Sequence, residues 1–292
     1  MIFEGVGTAL ITPFTENGVD FAALKRIVND QIASGVNALI VCGTTGEPAT
    51  MTDEEKIAVI KCVVEECDKR VPVIAGAGTN CTATTIENVQ SYEKLGVDGL
   101  LIVTPYYNKC TQKGLIAHYT AIANSTKLPI IVYSVKSRTG VNVLPETMSV
   151  LADIENIVAI KEASGDMEQV KKMVELCGDR IAIYSGEDGL AVPIIELGGS
   201  GLISVLSNVI PAKTATMVRL ALDKEFALAN ALQKDVEPLV NQLFVEVNPI
   251  PVKKGMELLG YCKNYIRLPL TEMEEEHSAK LAELLKIQGV LW

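Results

Sequence analysis

A chain of 292 residues is long enough for one α/β barrel or for two ordinary domains. Its balance of 48% hydrophobic and 21% charged residues is globular. No apolar run approaches the roughly 18 residues of a membrane span, so a soluble protein with no membrane partner is expected. Thirty-six acidic against 26 basic residues give a net charge of −10 and an isoelectric point near 4.9, which argues against nucleic acid as a partner.

The N-terminal stretch MIFEGVGTALITPF carries an acid at Glu4, no basic segment and no clear small-residue cleavage site. It reads as lacking a signal peptide, and a cytoplasmic location is expected. Within it, VGTALITPF (6–14) supplies a first strand. Apolar, β-branched runs then recur: ALIV (38–41), PVIA (72–75), LLIV (100–103), PIIVY (129–133), IVAI (157–160), IAIYS (181–185) and LISV (202–205). Their ends fall near positions 12, 43, 76, 104, 133, 161, 186 and 204, close to a regular repeat.

Helical patterns fill the intervals. Phe21, Leu24, Ile27, Val28 and Ile32 share one face, and Thr52 with Glu55 forms a capping box ahead of IAVIKCVVEEC. Eight strand–helix units predict a closed (β/α)8 TIM barrel over 1–224. From Pro211 onward the pattern is helical, and 225–292 reads as an added C-terminal helical region. A doubly wound dinucleotide fold is disfavoured, because Gly76-x-Gly78 is followed by Cys81 where a third glycine is needed.

The seven cysteines are odd in number and none forms C-x-x-C, so they read as reduced thiols. Only His118 and His277 are present, without H-E-x-x-H or a cysteine cluster. No metal and no cofactor is expected.

In an α/β barrel the active site is built at the carboxyl ends of the strands. The unusual residues collect there: Gly43-Thr44-Thr45-Gly46-Glu47 after the second strand, Thr104-Pro105-Tyr106-Tyr107-Asn108 after the fourth, Tyr133 closing the fifth, Lys161 closing the sixth and Ser185-Gly186-Glu187-Asp188 after the seventh. GGSG (198–201) precedes the last strand, lies at the opposite face and reads as a turn.

Lys161 directly follows four apolar residues. Ringed by apolar walls, its amine would lose affinity for the proton, and a neutral amine attacks a carbonyl to form a Schiff base. Deprotonation next to the iminium gives an enamine, with a nearby phenol relaying protons, and Tyr133 ends the adjacent strand. Strand parity places Pro129, Ile131 and Tyr133 on one face, and Ile157, Ala159 and Lys161 on another that can also point inward.

A second reading of Lys161 is an ion pair with Glu162, or a strand-end lysine reaching solvent. GTTGE is either a turn into the Thr52 cap or a cradle of hydroxyls and amides for a small carboxylate. Tyr106 and Tyr107 read equally as interface packing, and Arg138 is either a solvated loop charge or a fork for a substrate carboxylate.

Together, GVGTALITPF, GTTGE, TPYYNK, the Y-x-V-x-x-RTG pattern at 133–140 and IKEASGD make a specific set, and with them the whole chain resembles the dihydrodipicolinate synthase family of pyruvate-dependent class I aldolases. The resemblance implies that Lys161 forms a Schiff base with pyruvate and that Tyr133 transfers protons. It implies a hydroxyl relay from Tyr133 through Thr44 to Tyr107, with Tyr107 reaching across a dimer interface. Thr45 and Gly186 would bind pyruvate or shape its pocket, with Ile203 nearby, and Arg138 would hold the carboxylate of L-aspartate 4-semialdehyde. The implied product is 4-hydroxy-tetrahydrodipicolinate, on the route to diaminopimelate and lysine, made by a homotetramer or homodimer.

The family commonly has asparagine and proline where this chain has Ser134 and Lys136, which bears on the rigidity of that loop. Lysine-inhibited relatives commonly carry histidines at the positions of Asp53 and Lys56 and a glutamate at Thr84, in a pocket with Asn80 and Tyr106. Lys56 and Thr84 shift such a pocket toward positive charge, so weak or absent inhibition by lysine is expected. Rival readings are N-acetylneuraminate lyase or an aldolase for 2-keto-3-deoxy sugar acids, against which Arg138 and Thr45 discriminate. A non-catalytic scaffold is a further rival, opposed by the intact set Thr44, Tyr107, Tyr133 and Lys161.

Overall fold

The computed structural model describes residues 1–292. The chain begins with β1 (Gly5–Ala9), a short hairpin of β2 (Phe14–Thr15) and β3 (Gly18–Val19), and α1 (Phe21–Ala33). There follow β4 (Ala38–Val41), α2 (Asp53–Cys67), β5 (Val73–Gly76), α3 (Thr82–Glu93), β6 (Gly99–Val103), α4 (Gln112–Ala123) and β7 (Ile130–Ser134). After the short helices α5 (Lys136–Thr139) and α6 (Pro145–Leu151) come β8 (Ile157–Glu162), α7 (Met167–Cys177), β9 (Ala182–Ser185), α8 (Ala191–Glu196), β10 (Gly201–Ser204) and α9 (Pro211–Leu222). Three more helices end the chain: α10 (Phe226–Leu243), α11 (Ile250–Leu258) and α12 (Glu275–Ile287).

Eight strands close into a barrel in the order β1-β10-β9-β8-β7-β6-β5-β4, with β1 parallel to both β4 and β10. This is the expected (β/α)8 architecture with a C-terminal helical region. Closure between first and last strands depends on Gly201, where a Cβ would lie 2.0 Å from the Gly5 carbonyl oxygen. The first strand is shorter than expected. It stops at Ala9, and Phe14–Thr15 pairs instead with Gly18–Val19 in an antiparallel hairpin. Pro13 has no N–H to donate, which favours a break in the ladder at that point.

Strand alternation gives two apolar layers. Inside the barrel, Ala9, Ala38, Ile40, Ile74, Leu101, Ile131, Ala159, Ala182 and Ile203 pack together, and Phe3 stacks on Tyr184 at 4.4 Å between ring centroids. A larger layer of 66 buried residues lies between the strands and the helices. One parity expectation fails locally: the β7–β8 register shifts between Ile130 and Ile131, so Ile157 joins the outer layer while Ala159 faces inward.

The capping box of α2 is formed, with the Glu55 amide donating to the Thr52 hydroxyl at 3.2 Å and the Thr52 amide donating to Glu55 at 3.0 Å. Helix α10 packs on α8 and α9, and α12 packs on α10 and α11. Val236, Leu239, Leu243, Met256, Leu281 and Leu285 belong to the same apolar layer as the barrel helices. No helix is long and apolar enough to cross a membrane.

Candidate active site

The register of β7 and β8 sets Tyr133 directly beside Lys161. Both are 6% exposed, and the Lys161 Nζ lies 4.4 Å from the centroid of the Tyr133 ring. Burial lowers the Lys161 pKa to about 8, with Asp188 opposing the shift and Arg138 adding to it. At neutral pH the free-amine fraction is then roughly two orders of magnitude above that of an ordinary lysine. Burial raises the Tyr133 phenol pKa, while Arg138 and the neighbouring Thr44 hydroxyl pull it back.

The alternative reading of Lys161 as the partner of Glu162 does not hold. Glu162 faces away and accepts from the Ser164 amide (3.1 Å) and the Gln169 side chain (2.9 Å). Gln169 accepts from Asn142, and Asn142 in turn accepts from the Ser134 hydroxyl (3.3 Å). The Ser134 hydroxyl also accepts from the Val143 amide at 3.1 Å. Serine at this position therefore ties the end of β7 to the segment that follows the Arg138 loop. Within that loop, Thr139 accepts from the Thr104 hydroxyl (3.0 Å) and the Val141 amide (3.2 Å).

Gly186 leaves room for the amine. A Cβ there would lie 3.1 Å from Lys161 Cε and 2.8 Å from Ala163 Cβ, and the Gly186 amide donates to the Glu162 carbonyl at 2.6 Å. Asp188 is sealed behind it, accepting from the Ser204 hydroxyl (2.5 Å) and from the Val205 and Leu206 amides (3.1 Å each).

GTTGE forms a tight turn over Thr44–Gly46 that brings Thr44 and Thr45 to the mouth, and Glu47 takes the left-handed conformation at φ 56°. Glu47 is buried and paired with Lys253 of α11 at 2.7 Å, both side chains at most 1% exposed. Lys253 also donates to the Tyr265 carbonyl (2.7 Å) and sits 4.4 Å from the centroid of the Phe14 ring. The Asn248 side-chain amide donates to the Thr45 hydroxyl at 3.1 Å. Sequence reasoning missed Asn248, Lys253 and the role of Glu47. The buried charges of GTTGE and NPIPVKK were visible signals, but nothing in the pattern pairs segments some 200 positions apart.

A cavity of about 310 Å³ opens at the carboxyl ends of the strands. Ala9, Ile40 and Leu101 line it together with Thr44, Thr45, Tyr133, Arg138, Lys161, Gly186, Glu187 and Asp188, and Val240, Asn241, Phe244 and Asn248 of the C-terminal region complete the wall. Six of the eight expected site residues therefore converge. Ile203 is 1% exposed inside the barrel and does not line the cavity. Tyr107 stands apart, 90% exposed in a left-handed conformation at φ 71°. A hollow of about 400 Å³ lies elsewhere, lined by Met1, Lys69, Arg70, Asp98 and Pro129. Its cations are engaged, Lys69 with Asp98 (3.0 Å) and Arg70 with Asn29 and two backbone carbonyls.

Fold and cavity together define a class: a (β/α)8 barrel with a buried, partly neutral amine beside a phenol at its mouth, the equipment of imine-forming aldolases. The model of the dihydrodipicolinate synthetase family matches residues 2–288, and the chain belongs to that family. A 4-hydroxy-tetrahydrodipicolinate synthase of Clostridium perfringens is 51% identical over 290 residues, covering 99% of this chain and 100% of the relative. The dihydrodipicolinate synthase of Thermotoga maritima superposes with a TM-score of 0.98 at 43% identity, with 100% of each chain covered. That of Acinetobacter baumannii, solved in complex with pyruvate, gives 0.97 at 40% identity, again with 100% of each chain covered.

Proposed function

We propose that the chain is a 4-hydroxy-tetrahydrodipicolinate synthase, which condenses pyruvate with L-aspartate 4-semialdehyde on the route to diaminopimelate and lysine. The observation that carries this is the Lys161 amine, buried beside Tyr133 without a contacting counter-ion, in a cavity that also holds Thr44, Thr45 and Arg138. The neutral amine adds to the keto carbon of pyruvate, and loss of water leaves an iminium. Removal of a methyl proton gives the enamine, whose carbon attacks the aldehyde while the aldehyde oxygen takes up a proton. The amine of the second substrate then displaces Lys161, closing the ring and freeing the enzyme.

Tyr133 moves the protons, with Thr44 as its hydroxyl neighbour. Thr45 and Gly186 cradle the pyruvate end with Ile203 beneath them, and Arg138 takes the carboxylate of the aldehyde. Tyr107 completes the relay of a second copy of the chain in a homodimer or homotetramer. Its 90% exposure and left-handed backbone suit a side chain held outward for a partner. Residues 1–224 act as the catalytic barrel and 225–292 as the helical region that walls its mouth.

The test is steady-state product formation from the two substrates. Wild type should turn over and Lys161→Ala should lose at least about a thousandfold in kcat. Near-normal turnover by Lys161→Ala would contradict the proposal.

A further inference from the structure

Four charged residues line the cavity: Arg138, Lys161, Glu187 and Asp188. Lys161 is the nucleophile and Asp188 is sealed by three hydrogen bonds. Arg138 is exposed at the mouth. Glu187 is the remaining charge, half-buried, and its carboxylate lies against the loop after β8, where a Cβ on Gly165 would be 3.7 and 3.8 Å from its two oxygens.

That carboxylate accepts no hydrogen bond and forms no ion pair, since only the Glu187 backbone is engaged, with Ser185 and Leu190. The other buried acids around the site are all satisfied or paired: Glu162 by Ser164 and Gln169, Asp188 by Ser204, Val205 and Leu206, Glu47 by Lys253. A partly desolvated carboxylate on a residue of the cavity wall, with no donor bound to it, is a seat for a donor brought by a ligand.

The second substrate supplies one. L-Aspartate 4-semialdehyde carries an ammonium and a carboxylate on the same carbon. With Arg138 on the carboxylate, the ammonium would meet the positive charge of Arg138 unless an anion faced it. We infer that Glu187 receives the α-ammonium of the second substrate and so selects an amino-aldehyde over the same aldehyde without the amine. This rests on the function proposed above. Burial and the neighbouring Asp188 raise the Glu187 pKa, and an arriving ammonium would draw it back toward the ionised form.

The test compares wild type, Glu187→Gln and Glu187→Asp with pyruvate, L-aspartate 4-semialdehyde and succinic semialdehyde, the last being the same aldehyde lacking the amine and read by its competitive inhibition. Glu187→Gln should raise KM for the amino-aldehyde about tenfold or more. The pyruvate adduct trapped with borohydride, and inhibition by succinic semialdehyde, should stay as in wild type. Glu187→Asp, which keeps the charge, should recover part of the loss. An unchanged KM, equal weakening toward both aldehydes, or loss of the pyruvate adduct would overturn the inference. Wild-type protein that forms the adduct but does not turn over with L-aspartate 4-semialdehyde would instead overturn the functional reading, and this inference with it.

Discussion

Lys161 owes its chemistry to two opposed neighbours and a dry wall. Burial pushes its pKa down to about 8, Arg138 pushes the same way, and Asp188 resists. The attacking species is the neutral amine, so kcat/KM for pyruvate should rise with pH and level off above about pH 8, which a pH profile checks. Asp188→Asn removes the charge that holds the proton on, and the acid limb should move to lower pH. That variant also weakens the bonds to Ser204, Val205 and Leu206, at a cost of about 1–3 kcal/mol in urea unfolding. A limb that stayed put or moved upward would refute the assignment of Asp188. Tyr133 and Lys161 were legible in the sequence because strand parity puts both inward and the lysine interrupts an apolar run. Asp188 was legible only as a loop residue, since the amides that seal it belong to the next strand end.

Among the elements, the turn Thr44–Glu47 shows how far sequence reasoning reaches. Its place after the second barrel strand follows from the repeat, yet its anchoring does not. Asn248 holds Thr45, and Lys253 holds Glu47. Removing one partner of a buried pair strands the other charge, so Lys253→Met should cost about 3–5 kcal/mol of stability, read from urea unfolding. Glu47→Gln with Lys253→Met should recover much of that loss. Both variants should raise KM for pyruvate more than they lower kcat, because the turn that carries Thr45 is loosened while Lys161 is untouched. A Lys253→Met protein with unaltered stability would show that the pair contributes nothing. The strands themselves were legible nearly to the residue from β-branched runs. The first was overextended because VGTALITPF is apolar throughout, and only Pro13 hints at the break that the hairpin β2–β3 makes. The walls supplied by Val240, Asn241, Phe244 and Asn248 left no sequence signal, because long-range packing of a helical tail has no local period.

At the scale of the whole molecule, a protein of net charge −10 sets two cations, Arg138 and Lys161, at the mouth of one cavity. Lys56 is ion-paired with Asp53 at 2.8 Å, and the Asn80 side chain donates to the Tyr106 carbonyl at 3.4 Å. With Lys56 and Thr84 in place of the residues common in lysine-inhibited relatives, millimolar L-lysine should leave turnover here unchanged; isothermal titration showing tight binding with loss of activity would refute this. The whole reaction stands on one bond, between Lys161 and pyruvate. The direct measurement is intact mass after pyruvate and borohydride, followed by peptide mapping. One stable adduct, mapped to Lys161 and missing in Lys161→Ala, is the predicted result. No adduct, or an adduct on another lysine, would contradict the account.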